Sequence, residues 1–266
     1  MRFYYGVTLL FMFLFYSPVL AEEDIPTEEI ELSTPHYEYK ADAFAPALGR
    51  YTYDVSWQGI PAARASAVVK KKGDTLKVII RVRTLKAIDI FYKLRYHAEA
   101  VLSASKMTPK HSFFNKNEKS RIRNMDLSFH PDGEISVIRN KNGNIEKFKF
   151  NPHNFTLDPF SAAFIARSLD WSVGDTKYFD AYEGQNRYLV ALSAAGKEKI
   201  KHNGKLYETW VIKPRVKKLG FENEKNKLRD ASIYLTTDTA RDILLIRSEV
   251  FIGSVKTKLT SFKPLQ

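Results

Sequence analysis

A strict alternation of apolar and polar residues constrains the fold of this chain more than any other feature. In the first segment with this pattern, large apolar side chains occupy every second position, which places on one face Tyr51, Tyr53, Val55 and Trp57. A period of two is typical of a half-buried β-strand. The pattern recurs as far as residue 262, in segments that end at turn signals such as Asn142-Gly143. The sequence therefore predicts a series of antiparallel hairpins.

The predicted strands continue along almost the whole chain. After the first hairpins they lie at 95–105, 110–117, 126–130, 134–139, 145–150, 176–182, 187–193, 206–217, 231–236, 243–251 and 254–262. The most polar stretch, 217–230, is predicted to be a long loop between strands.

Two segments depart from the alternation and are predicted to be helices. In 158–169, Asp158 can accept backbone N–H groups as an N-cap, and Pro159 suits the first helical position. Beyond the cap, Arg167 is the only charged residue of this segment, and a helix that is apolar almost all round is buried. A second short helix over 85–93 is the weaker prediction. We expect a mainly β fold: a single large curved antiparallel sheet or open barrel, with the helix of 158–169 inside its concave face.

The first 21 residues have the composition of a secretory signal peptide. Arg2 precedes an apolar run over 7–16, Pro18 ends that run, and the small residue Ala21 precedes an acidic stretch. The alternative is a membrane anchor, but the run is shorter than the roughly 20 residues that a spanning helix needs. We therefore expect cleavage after Ala21, export to a bacterial periplasm and no membrane-spanning segment in the mature chain.

The chain contains no cysteine, which removes several classes of site. Disulfide frameworks, zinc–thiolate sites and thiol nucleophiles are excluded. A lipid-modified N-terminal cysteine is excluded as well, so the processed chain is not expected to be a conventional bacterial lipoprotein. The remaining length is sufficient to bury a sizeable core without such covalent support.

Charge is distributed unevenly along the sequence. Residues 22–39 contain seven acidic residues and no lysine or arginine, and with two prolines they predict a flexible acidic leader over 22–47. Because Arg2 is the only basic residue before Lys40, the body from residue 40 holds 41 basic and 23 acidic residues, an excess of +18. Such a body attracts polyanions. After export, lipid headgroups, lipopolysaccharide or another envelope component are expected rather than nucleic acid; a solvated basic surface without a dedicated ligand is the alternative.

Motifs that carry catalysis or metal binding are absent. The sequence has no Gly-x-Ser-x-Gly elbow, phosphate-binding glycine loop, paired-histidine zinc motif or calcium loop. The histidines are scattered without metal-ligand spacing. Asp180 and Glu183 are a possible carboxylate pair, but three residues apart in an extended segment their side chains point to opposite faces. The sequence therefore predicts no catalytic residue, no metal and no cofactor.

Aromatic residues make up 13% of the chain, and many alternate with basic residues. One interpretation is a groove that holds acyl chains inside and anionic headgroups at its edge. The other is that these aromatic side chains are simply core, since they suit a pleated, half-buried surface. The sequence does not decide whether the sheet encloses a cavity or is filled.

Three stretches resemble an exported bacterial family, the domain of unknown function 3108. They are YDVSWQGIPA over 53–62, DPFSA over 158–162 and IGSVKTKL over 252–259, and the resemblance spans 48–264 within a predicted domain of 48–266. The residues in these stretches predicted to have structural roles are Trp57, Gly59, Pro61, Asp158, Pro159 and Gly253. The resemblance implies an envelope protein built mostly of antiparallel strands, and it supplies no catalytic residues.

We expect a non-enzymatic periplasmic protein that binds a hydrophobic or amphiphilic envelope component in a concave β face. The first alternative is a scaffold or interaction protein of the cell envelope. An enzyme acting on cell-wall polymers is a further alternative, which the missing motifs disfavour.

Overall fold

A computed structural model describes residues 33–119, 121–219, 228–250 and 253–265. These residues form one 15-stranded sheet in the order β8-β7-β6-β5-β4-β3-β2-β1-β15-β14-β13-β12-β11-β10-β9. The strands are β1 (Gly49–Trp57), β2 (Ile60–Lys72), β3 (Thr75–Thr84), β4 (Leu94–Ser103), β5 (Pro109–Glu118), β6 (Arg121–Phe129), β7 (Ile135–Lys141), β8 (Asn144–Phe150), β9 (Thr156–Leu157), β10 (Thr176–Tyr182), β11 (Arg187–His202), β12 (Lys205–Lys218), β13 (Leu228–Thr236), β14 (Ile243–Val250) and β15 (Ser254–Pro264). The helices are α1 (Lys86–Asp89) and α2 (Pro159–Ser168).

The predicted mainly β fold is confirmed, and the alternation that predicted it appears as burial. In β1, Tyr51, Tyr53 and Val55 are buried, and the residues between them face outward or are half-buried. Neighbouring strands pair antiparallel throughout, except that the two-residue strand β9 pairs parallel with β10. The sequence did not predict β9, because two residues are too few to show a period. Much of the predicted 217–230 loop lies outside the described residues.

The sheet curves until its two end strands approach each other, but in the described part of the chain β8 and β9 share no backbone pairing. Side chains hold the two ends together instead. The ring of Phe150 on β8 lies edge-on to Tyr182 on β10, with 5.2 Å between centroids. Arg139 on β7 donates from Nε to the carbonyl of Gly184, 3.1 Å away. A side chain at residue 184 would lie 2.6 Å from Cβ of Met125 and would need a positive φ, so glycine allows this close approach.

The helix α2 lies inside the concave face, as its sequence predicts. Asp158 is its N-cap and accepts from the backbone N–H of Ser161 at 2.5 Å, and Pro159 occupies the first turn. The side chain of Ser112 on β5 also donates to the Asp158 carboxylate, which fixes the start of the helix to the sheet. Eight of the ten helical residues are buried. The second predicted helix is present as the single turn α1.

Part of the predicted flexible leader packs against the domain. Phe44 is fully buried, and its ring lies 5.9 Å from that of Phe164 on α2. The backbone N–H of Ala45 donates to Thr239 at 2.8 Å, and Lys40 donates to the hydroxyl of Ser168 at 3.2 Å. The described segment 33–47 therefore packs on the core through Phe44, and the acidic stretch 22–32 lies outside the described residues.

Candidate functional site

An apolar cleft lies between α2 and the inner faces of strands β10 to β14. The helix contributes small residues to it, Ala162, Ala163 and Ala166, together with Pro159. The sheet contributes large apolar side chains, Phe179, Val190, Leu192, Ile212, Ile233, Leu235 and Ile243. Alanine side chains are too short to reach this surface, so a gap of about 70 Å³ remains between helix and sheet. Because its walls are almost entirely carbon, the cleft suits an apolar guest better than ordered water.

One stripe of the helix opens the cleft to solvent. Ala163 is exposed and Arg167, four residues later on the same face, is half-buried, whereas Ala162 and Ala166 are buried. The guanidinium of Arg167 donates to the carbonyls of Ala240 and Arg241, each 2.9 Å away. These bonds hold the cation at the edge of an otherwise apolar opening.

Charged side chains of both signs lie beside this opening. Arg167 lies 3.7 Å from the carboxylate of Asp242, which also accepts from the Tyr51 hydroxyl at 2.9 Å. Burial raises the pKa of Asp242, and the nearby Arg167 opposes that rise. Arg241 donates to the carbonyl of Leu169 at 2.6 Å, at the end of the helix. The carboxylates of Asp170 and Asp238 also act on Arg241 and Asp242, so charges of both signs surround the opening.

A buried ion pair joins β10 and β11, two of the strands that line the cleft. Asp180 and Arg187 have fully buried side chains, and the Arg187 guanidinium donates to both carboxylate oxygens at 2.5 to 3.0 Å. Asp180 also accepts from the Thr156 hydroxyl at 2.6 Å and from the Asn154 amide at 3.2 Å. These bonds join the short strand β9 to the β10–β11 hairpin, so the pair has a structural role.

The other buried carboxylates are also engaged by neighbouring structure. Glu183 accepts from the backbone and side-chain N–H groups of Asn186 at 3.2 and 3.1 Å, and burial raises its pKa. Burial likewise raises the pKa of Asp158, against the bonds from Ser112 and Ser161. Asp180 and Glu183 do not converge on a shared opening: one binds the β9 edge and the other closes the β10–β11 turn.

The residues with predicted structural roles fall into two groups. Trp57, Gly59, Pro61 and Gly253 come together where the β1–β2 turn meets the start of β15. The backbone N–H of Gln58 donates to Ser254 at 2.8 Å there, and both glycines have φ near +82°. Asp158 and Pro159 form the second group at the start of α2. Of all these residues, only Pro159 lines the cleft.

Sequence reasoning missed the residues that shape the cleft. The sequence shows the alanines of α2 as part of an apolar helix. Their small size leaves a cleft only because they face large side chains of the sheet, and the sequence does not show that contact. Arg167 is the only charged residue of the predicted helix beyond its cap. This signal could have located the opening of the cleft, since a lone charge on a buried helix must reach solvent or a partner.

Among the described residues, no three potential metal ligands cluster, and no helix has the length and apolarity to cross a membrane.

Comparison with known proteins confirms the resemblance. The family described as protein of unknown function (DUF3108) matches residues 52–260. No curated protein matches the sequence. A crystal structure of a β-barrel-like protein of domain of unknown function DUF1849 from Brucella abortus is similar with a TM-score of 0.57 and 11% identity, covering 84% of this chain and 100% of that one. A candidate lipoprotein from Parabacteroides distasonis gives a TM-score of 0.33 and 8% identity, covering 86% and 100%. The Brucella protein supports the barrel-like fold alone.

Proposed function

Since this chain belongs to the DUF3108 family, a family of unknown function, we propose a function from its geometry: an exported envelope protein that binds the end of an apolar chain of an anionic amphiphile. The observation that carries the proposal is the cleft beside α2, which is lined by carbon and opens to solvent at Ala163 and Arg167. The signal-peptide pattern of residues 1–21, which lie outside the described part, supports export to the periplasm.

The size of the cleft limits what it can hold. One water molecule needs roughly 10–15 Å³ of cavity volume. The cleft volume of 70 Å³ therefore has room for about five groups of methylene size. Burying a methylene contributes about 0.8 kcal/mol, and five contribute about 4 kcal/mol, which corresponds to a Kd on the order of 1 mM. The cleft therefore takes the end of one acyl chain, and the rest of the amphiphile lies outside.

The mouth supplies the preference for charge. A chain that enters beside Ala163 passes the guanidinium of Arg167, and the body of the protein carries an excess of basic residues. We expect an anionic headgroup to be favoured there, because the excess of basic residues in the body repels a cationic one.

The alternatives have less support from the described residues. The enzyme hypothesis needs reactive groups that converge on an opening, whereas Asp158, Asp180 and Glu183 are each bound by structural partners. The scaffold hypothesis has one specific observation in its favour, a set of exposed apolar side chains at one end of the sheet.

A chain-length series tests the proposal. We expect linear alkyl sulfonates, titrated below micelle formation, to bind about fourfold more tightly for each added methylene until about five are buried, after which the gain stops. Ala163→Leu, which covers the mouth from an exposed helical position, should weaken the binding of octyl sulfonate by about tenfold or more. Isothermal titration or chemical-shift perturbation measures both effects.

The matched control is Ala191→Leu, the same change on the outer face of β11, between the cleft residues Val190 and Leu192. It should bind like the unmodified protein. Alkyl trimethylammonium ions of equal length should bind more weakly than the sulfonates. Affinity that does not depend on chain length, or equal binding by both leucine variants, would contradict the proposal.

A further inference from the structure

Five large apolar side chains project into solvent at one end of the β1–β8 part of the sheet. The exposed fractions are 56% for Ile60, 79% for Ile90, 67% for Phe91, 45% for Ile122 and 62% for Ile145. Antiparallel topology places them together, because the β1–β2, β3–β4, β5–β6 and β7–β8 connections all lie at the same end of the sheet. We call these five residues the apolar rim.

Hydrogen bonds join the connections that carry the rim. The N–H of Leu85 donates to Ala62 at 2.9 Å, which links the β3–β4 connection to β2. On its other side, Lys119 donates to the Lys93 carbonyl at 2.9 Å. The backbone N–H groups of Ile122 and Asn142 then join the last two turns, at 2.8 and 2.9 Å. The rim is thus a continuous edge of the sheet.

Exposed cations lie between the apolar side chains, namely Lys86, Lys93, Lys119, Arg121 and Lys147. The nearby acids are each bound by a cation: Asp89 by Arg95 at 2.5 Å, Glu118 by Lys116 at 2.6 Å and Glu146 by Arg139 at 3.0 Å. The rim therefore presents apolar groups in a positive field.

The opposite end of the same strands has a different surface. Its connections, 73–74, 104–108 and 130–134, carry no exposed large apolar side chain. They carry the acids Asp74, Asp132 and Glu134 together with Lys106, and the exposed Lys71 and Lys72 lie beside them. The exposed large apolar side chains are therefore concentrated at one end of these strands.

We propose that the apolar rim docks this protein on an anionic lipid surface, with Ile90 and Phe91 inserted among the headgroups and the lysines bound to phosphates. This rests on the envelope location in the proposed function, and it gives the cleft a source of acyl chains. Protein interfaces are depleted in lysine, whereas apolar residues interleaved with lysine and arginine are the pattern of interfacial membrane binding. Each basic residue near an anionic surface contributes about a fivefold gain at low salt.

Vesicle flotation tests the inference with variants of exposed residues. We expect the protein to bind vesicles of phosphatidylcholine that contain 30% phosphatidylglycerol. Its affinity for vesicles of pure phosphatidylcholine should be about tenfold lower or less, and 0.5 M salt should release it from the anionic vesicles. The double variant Ile90→Ser/Phe91→Ser should lower the affinity for anionic vesicles by about tenfold or more. The double variant Lys86→Gln/Lys93→Gln should lower it by about fivefold for each lysine removed.

Two matched controls lie away from the rim. Val173→Ser/Leu206→Ser removes apolar residues of similar exposure, 66% and 61%, and Lys71→Gln/Lys72→Gln removes two exposed lysines from the opposite end. Both should keep binding within about twofold. Equal binding by rim and control variants, or no binding to either kind of vesicle, would overturn the inference and favour a protein partner at the rim. Rim variants should keep their affinity for octyl sulfonate. A negative result for vesicle binding by the rim can therefore be distinguished from a negative result for chain binding by the cleft.

Discussion

Replacing Arg187 by leucine is expected to lower the free energy of unfolding by about 3–5 kcal/mol. The substitution leaves the Asp180 carboxylate fully buried without its guanidinium partner, and a buried charge without compensation is strongly destabilising. The loss should appear as a lower midpoint of urea unfolding, measured by the fluorescence of the tryptophans.

Two further variants separate the lost ion pair from the lost arginine. Arg64→Leu breaks an ion pair with Asp54 in which both side chains are more than half exposed, and it should change stability by about 1 kcal/mol or less. Adding Asp180→Asn to Arg187→Leu should recover part of the loss, because a neutral amide still accepts from Thr156. If Arg187→Leu costs no more than Arg64→Leu, the buried pair does not hold β9 to the hairpin.

Phe44→Ala is expected to lower the free energy of unfolding by about 3–5 kcal/mol as well. The side chain is fully buried, packs on Phe164, and lies beneath the guanidinium of Arg167 with 4.7 Å from Cζ to the ring centroid. Its removal leaves a cavity beside the C-terminal half of α2. Urea unfolding at constant pH measures the effect.

The control is the same change at an exposed position. Phe91→Ala, at 67% exposure, should alter stability by about 0.5 kcal/mol or less. A Phe44→Ala variant as stable as Phe91→Ala would show that the segment before β1 does not belong to the folded domain.

The sequence predicted those parts of the fold that depend on local pattern. Alternation placed Tyr51 and Tyr53 inside, the Asp158-Pro159 pair marked the start of α2, and the strand predicted over 176–182 has the observed bounds. Each of these signals is contained within a few neighbouring residues, so a single sequence is enough to detect it.

Long-range features could not be predicted in this way. Phe44 lies in a segment whose acidic neighbours and prolines indicated a flexible leader, and only the position of Thr239 and α2 explains its burial. Asp180 and Arg187 meet because the turn between β10 and β11 brings the two strands together, and the partners from the β9 edge, Asn154 and Thr156, are distant in sequence. The cleft itself arises from the contrast between small and large side chains on elements distant in sequence.

Docking of the apolar rim on a lipid surface would compensate for weak binding in the cleft. A cleft that contributes on the order of 4 kcal/mol binds a free chain weakly. A protein already held at a lipid surface meets acyl chains at high effective concentration, so weak intrinsic binding is sufficient there.

Photolabelling would show whether the cleft beside α2 receives an acyl chain. Anionic vesicles would contain a phospholipid with a diazirine at the end of one acyl chain, and labelled peptides would be identified after digestion. We expect labels within 159–168 and on the facing strands β10 to β14, greatly reduced by Ala163→Leu and unchanged by Ala191→Leu. Labels confined to residues outside the cleft, or equal cleft labelling in both leucine variants, would contradict the proposal.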